Sequence, residues 1–202
     1  MMTLYSAPAS PFGRRVKMTA ILKGVMDGIT VEAVDTSRPD NDVLKRHNPL
    51  QKIPVLVLPD GVELYDSRVI CDYLDSLAPE PRLIPPSGSD RYRVLRLGAL
   101  ADGIMEAALL IVYETRFRPQ ELRSAPWCQR QQSKIDAALA GLDAAPPAWR
   151  GRPDYGDVSL AAALGYLDLR HDGRWRSERP RLVDWLAAFD RDVPAFAATA
   201  PH

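Results

Sequence analysis

Three short stretches of the chain carry residue types whose spacing could do chemistry. Ser10 stands directly before Pro11 at the head of an apolar-periodic run, the pattern of a helix N-cap followed by the first helical residue. A hydroxyl there either caps the helix, for about 1 kcal/mol, or donates to an anion gathered at the helix start. A thiol, with a pKa of about 8.5, reacts as its thiolate. Lowering that pKa by one or two units takes about 1.4–2.7 kcal/mol, within reach of one hydrogen bond to a charged group, about 1.5–3 kcal/mol. Asp66-Ser67 opens a second helical run. The pair either caps that helix or offers a carboxylate ligand both a hydroxyl and free backbone N–H groups. Ile53-Pro54 precedes an apolar strand. The proline either begins an edge strand in trans, or makes a cis turn that leaves the Ile53 backbone open to an outside peptide.

The elements that must position these residues follow from periodicity and punctuation. Residues 2–7 read as a strand, 11–24 as a helix stopped by Gly24, and 29–34 as a second strand. "TSRPDNDVLKRHNPL" reads as a loop with one helical turn. Residues 55–65 read as a hairpin turning at Pro59-Asp60-Gly61, followed by a helix from the Asp66 cap to about Leu77. Residues 79–90, rich in Pro, Ser and Gly, have the composition of a linker. Beyond it, residues 90–117, 126–143, 154–170 and 180–191 are all helical in pattern. The expected organisation is an α+β two-domain chain: a βαβ-ββα domain over 1–78, a linker over 79–90 and an all-α domain over 91–202.

Bulk composition narrows the function. A chain of 202 residues with 46% hydrophobic content is large enough for real cores. Its 26 basic and 26 acidic residues cancel, which argues against a nucleic-acid partner. Cys71 and Cys128 have neither metal-ligand nor CxxC spacing, and no disulfide is expected. No charged-then-apolar leader and no apolar run of about 18 residues is present, so the expectation is a soluble, cytoplasmic protein without a membrane role. Arg14 and Arg15 read as a solvated helix face, and Arg91, Arg93 and Arg96 as surface. Asp102, in an apolar stretch, either points to water or faces a cleft with a partner. None of His47, His171 and His202 reads as a catalyst, and no metal site is expected.

Taken together in this order, the motifs resemble those of the cytosolic glutathione transferases, as a serine-type, bacterial-like member. "SPFGRRVKMTAILKGV" is similar to the family's first helix, and "NPLQKIPVLVLPDGVELYDSRVICDYLD" to its glutathione-binding core. "RPDYGDVSLAAALGYLDLR" is similar to the buried helix, with Asp154-x-x-Asp157 where the family uses Ser/Thr-x-x-Asp. "RPRLVDWLAAFDRDVPAFAAT" is similar to the closing helix and tail.

The resemblance implies a thioredoxin-like first domain, an all-α second domain and a homodimer. It implies glutathione as co-substrate, with no metal. Ser10 would activate the glutathione sulfur. The Ile53 backbone, held open by a cis Pro54, would pair with the cysteinyl part. Ser67 would take the γ-glutamyl carboxylate, Asp66 would face the ammonium (where many members carry Glu), and Lys52 would lie near the glycyl carboxylate. Phe12 would sit between the glutathione site and an apolar second site. Met105, Leu109 and Tyr113, at i, i+4 and i+8 on one helix, either form the opposite wall of that site or pack in the core.

Serine at position 10 cannot form a mixed disulfide, and the chain lacks the "SSCS" run of the zeta isomerase type. The resemblance then implies attack of the glutathione thiolate on a small hydrophobic electrophile or a peroxide, a detoxification chemistry. The alternative is a non-catalytic binding or regulatory protein that keeps the fold.

Overall fold

A computed structural model describes residues 1–37 and 41–201. Two compact units are present, one of Met1–Pro86 together with the tail from Ala195, the other of Ser87–Pro194.

The first unit is built on a four-stranded sheet of order β2-β1-β3-β4, from β1 (Met2–Ser6), β2 (Ile29–Ala33), β3 (Val55–Val57) and β4 (Glu63–Leu64). β1 and β2 run parallel, joined through α1 (Pro11–Leu22), while β3 is antiparallel to both β1 and β4. The β3–β4 turn closes with Leu58 N–H donating to Val62 C=O at 2.8 Å, and Gly61 there adopts φ +88°, a conformation glycine takes without penalty. α3 (Ser67–Ser76) packs on α1. Leu4, Val16, Met18, Ala20, Val55, Leu56, Ile70 and Leu74 are all fully buried. The loop expected after β2 holds a six-residue helix, α2 (Asp42–His47), capped by Asn41; residues 38–40 of that loop lie outside the described residues.

The second unit contains α4 (Gly88–Phe117), α5 (Ala125–Ala144), α6 (Tyr155–Arg170) and α7 (Pro180–Asp192). α6 is buried on every side from Tyr155 to Leu167, as expected of a helix apolar all round. It approaches α4 closely at two glycines. A Cβ at Gly98 would stand 2.5 Å from the Tyr155 ring, and one at Gly156 2.9 Å from Val94 O.

Two expected boundaries are corrected. Residues 79–90 do not form a free linker: α4 starts at Gly88, and Leu83 and Ile84 are buried. Their backbone N–H groups donate to Asp75 at 2.9 and 3.0 Å. The buried Lys23 ammonium pairs with the same carboxylate at 3.1 Å and donates to Ala78 O and Pro81 O at 2.6 Å each. The helical half does not run to residue 202 either. The short α8 (Pro194–Ala198) opens a tail that belongs to the first unit from Ala195 onward. Arg14 holds it, with Nη2 donating to Phe196 O at 2.7 Å and the guanidinium carbon 4.0 Å from the Phe196 ring centre.

Candidate functional site

Registers bring the three chemical stretches to one end of the sheet. Tyr5 pairs with Val55 and Leu56 with Leu64. The exit of β1 toward Ser10, the Ile53-Pro54 entry into β3 and the exit of β4 toward Asp66-Ser67 therefore share an edge. Ile53 lies two residues beyond the Val55 end of the ladder, past Pro54, and the Ile53–Pro54 peptide is cis.

Ser10 is the N-cap of α1. Its Oγ accepts from Gly13 N–H at 3.1 Å, which leaves the hydroxyl hydrogen to donate elsewhere. Gly13 is required for this first turn, because a Cβ there would overlap Ser6 Oγ at the end of β1. Phe12, in the same turn, is half-exposed.

Asp66 caps α3, its Oδ1 accepting from Arg68 N–H at 3.0 Å. Burial acts to raise its pKa, but hydrogen bonds from Arg68 and the charges of Arg68 and Arg15 outweigh it and hold the carboxyl below its usual value. Asp66 stays ionised and suited to an ammonium. Ser67 is buried at 2% exposure, and its Oγ accepts from Arg15 Nη2 at 2.5 Å. With that lone pair occupied, the Ser67 hydroxyl hydrogen is directed to another acceptor.

Arg15 is the residue that sequence reading misplaced. It is fully buried, and Arg14 is 6% exposed; neither belongs to a solvated helix face. A cation buried beside the N-terminus of α3 adds to the positive potential already there. The signal available in the sequence was the spacing of Arg15 with the apolar Phe12 and Leu22 at i−3 and i+7.

Lys52 is exposed, with no ion-pair partner among the described residues; its C=O accepts from Asn48 Nδ2 at 2.9 Å. His47 is tied to the hairpin, with Nδ1 2.6 Å from Glu63 Oε1 and the ring stacked on Tyr5 at 4.9 Å. In the helical unit, Met105 is fully buried, whereas Leu109 and Tyr113 are half-exposed; only the last two present surface. Asp102 is buried rather than facing water, and Arg93 pairs with Asp154 at 3.1 Å. His202 lies outside the described residues. Among the described residues no group of three His, Cys, Asp or Glu is placed to hold a metal ion, and no helix is long and apolar enough to cross a membrane.

The arrangement thus offers two serine hydroxyls at two helix N-termini, a buried cation and an open backbone edge, all suited to an anionic peptide. Comparison with known proteins agrees. The family models "Glutathione S-transferase, N-terminal domain" and "Glutathione S-transferase, C-terminal domain" match residues 4–82 and 125–188. The GST-like protein YibF of Escherichia coli K12, described as uncharacterized, is 33% identical over 99% of this chain and 98% of its own.

The chain belongs to the glutathione S-transferase family.

A probable maleylacetoacetate isomerase of Vibrio cholerae is 49% identical over 78% of this chain and 74% of its own. A glutathione transferase family member from Pseudomonas fluorescens Pf-5 is 40% identical and has been crystallised twice. With bound glutathione it superposes with a TM-score of 0.92, covering 100% of both chains. With bound S-(propanoic acid)-glutathione the TM-score is 0.87, covering 100% of this chain and 98% of the other. The thioredoxin-like sheet domain and helical domain expected from the motifs are those of this glutathione S-transferase fold.

Proposed function

We propose that this glutathione S-transferase binds glutathione at the sheet edge described above and transfers its thiolate to a small electrophile. The observation that carries the reading is the pair of serine hydroxyls, each with its oxygen occupied by an internal donor and its hydrogen left over. Ser67 donates to the γ-glutamyl carboxylate and Asp66 faces the γ-glutamyl ammonium. The Ile53 backbone beside Pro54 pairs with the cysteinyl part, and Lys52 meets the glycyl carboxylate. Ser10 donates to the sulfur. One such charge-assisted bond, about 1.5–3 kcal/mol, together with the helix dipole, about 0.3–1 kcal/mol, lowers a thiol pKa by roughly one to three units.

The thiolate lone pair forms the new C–S bond. The displaced pair leaves with a departing anion, or moves onto the adjoining carbon, which then takes a proton from water. No covalent enzyme intermediate is needed, and positioning together with thiolate stabilisation supplies the acceleration. In this reading Phe12 offers surface to the electrophile beside Ser10; on α4, Leu109 and Tyr113 present surface while Met105 is buried. The S-conjugate bound by the Pseudomonas fluorescens relative supports carbon–sulfur chemistry over peroxide reduction. A cytoplasmic homodimer completes the reading.

The identity to the probable maleylacetoacetate isomerase favours one second reading. The same thiolate would add to a cis double bond, allow rotation and be eliminated, regenerating glutathione.

Retention on immobilised glutathione and a thermal shift with free glutathione test the binding. At one hundred times the Kd the expected stabilisation is about 2.7 kcal/mol. Turnover of an aryl halide against isomerisation of a maleyl substrate separates the two chemistries. No retention and no shift would leave a non-catalytic module of this fold.

A further inference from the structure

The segment that leads into the Ile53–Pro54 edge is wound around one buried side chain. Asn48, the C-cap of α2, is 2% exposed. Its N–H donates to the C=O of the buried Leu44 at 2.8 Å. Its C=O accepts from Gln51 N–H at 2.8 Å, and its Oδ1 accepts from Leu50 N–H at 2.9 Å. Its Nδ2 donates to Lys52 C=O at 2.9 Å. Every nitrogen and oxygen of Asn48 is therefore engaged between residues 44 and 52.

Gln51 takes a left-handed φ of +53°. A non-glycine residue holds that conformation only where its surroundings over-determine it. The bonds to Asn48 from Gln51 N–H and from the neighbouring Lys52 C=O do so.

The bond to Lys52 fixes more than the loop. The Lys52–Ile53 peptide is trans, so its C=O and its N–H point in opposite directions within one plane. With the carbonyl turned in to the buried Asn48 amide, the Ile53 N–H is turned away from it. That N–H has no acceptor among the described residues, and Ile53 is half-exposed. An amide donor is strong only near linear alignment and weakens steeply below about 120°. A peptide plane free to rotate would make a poor donor to a ligand, and the Asn48 amide stops that rotation.

We propose that Asn48 is a positioning residue for glutathione: by holding the Lys52 carbonyl it aims the Ile53 N–H at the cysteinyl carbonyl of the tripeptide. This rests on the glutathione reading above and deepens its cysteinyl contact. The role needs an amide. Aspartate has nearly the same shape and still accepts from Leu50 N–H, but its carboxylate has no hydrogen to give Lys52. Serine keeps the local turn through its hydroxyl and is too short to reach Lys52.

Two ligands that differ at the cysteinyl carbonyl test it by calorimetric titration of the full chain. γ-Glutamylcysteine methylamide keeps that carbonyl and lacks the glycyl carboxylate, so the Lys52 ammonium takes no part. γ-Glutamylcysteamine lacks the carbonyl as well. The unaltered chain is expected to bind the methylamide about fivefold tighter, and the Ile53 amide proton resonance moves downfield with the methylamide but not with the cysteamine. In Asn48→Asp, and in Asn48→Ser should the aspartate variant not fold, the preference falls to nearly onefold while the cysteamine affinity stays within about twofold. A uniform loss for both ligands, or a preference that survives in a folded variant, overturns the positioning role alone. So does an Ile53 resonance indifferent to the methylamide in an unaltered chain that binds glutathione, a result that needs no variant. No binding of glutathione itself overturns both this inference and the reading beneath it.

Discussion

The guanidinium of Arg15, fully buried in α1, donates to Ser67 Oγ at the first residue of α3 over 2.5 Å. Both partners are buried, so the bond fixes which way the serine hydroxyl faces. Ser67→Ala is expected to weaken glutathione binding by about 1–3 kcal/mol, because a carboxylate loses a donor. Arg15→Lys keeps the charge but not the planar fork. Its loss is expected to overlap that of Ser67→Ala, so that the double variant falls short of the sum. Strictly additive losses in titration calorimetry would show that Arg15 does not act through Ser67.

Ser10 already accepts from Gly13 N–H and has only its own hydrogen to give. Ser10→Ala is expected to reduce turnover of an aryl halide by roughly 10–100-fold, as a bond to a charged group is lost. Glutathione affinity changes little, because the carboxylate contacts remain. The thiolate absorbance of the bound complex, followed against pH, should shift its midpoint upward. An unmoved midpoint would remove Ser10 from the chemistry.

Asp157 and Asp154 form a reciprocal cap on α6, each carboxylate accepting the other's backbone N–H at 3.0 Å. Burial first and the Asp154 charge second push the Asp157 carboxyl up to about 7. The folded chain therefore holds a proton there that the unfolded chain, with a pKa near 3.8, has already released. Stability from this group is greatest below the unfolded value and is lost as pH rises toward 7. Asp154→Ser keeps an equivalent cap while removing the like charge. It is expected to gain on the order of 1 kcal/mol at pH 8 relative to pH 5. Urea midpoints at the two pH values read this directly, and an equal change at both would contradict it.

Arg14 binds the tail through Phe196 O and the Phe196 ring. Deleting the chain from Ala195 leaves this 6%-exposed cation without those contacts. Removing one partner of a buried charged group costs about 1–3 kcal/mol or more. Arg14→Met in the truncated chain is expected to restore part of the loss seen in chemical denaturation. A truncated chain as stable as the full one would show that the tail contributes nothing to the first unit.

Local chemistry was legible wherever it acts within a few residues. Ser10-Pro11 and Asp66-Ser67 announce helix starts because a cap oxygen needs only the N–H groups two or three positions on, and both caps are present. Asp60-Gly61 announces its turn for the same local reason, and the uninterrupted apolar run of α6 announces a helix buried on every side. The tertiary structure alone decided where the charges went. Arg15 reaches a partner 52 residues away and Arg14 one 182 residues away. Lys23 and Asp75, equally distant in the chain, turn an apparent linker into an anchored segment. A charged side chain reads as solvated until a folded neighbour supplies its partner, because desolvation is tolerated only where pairing offsets it. That offset depends on which elements meet, and no spacing within a single helix records it.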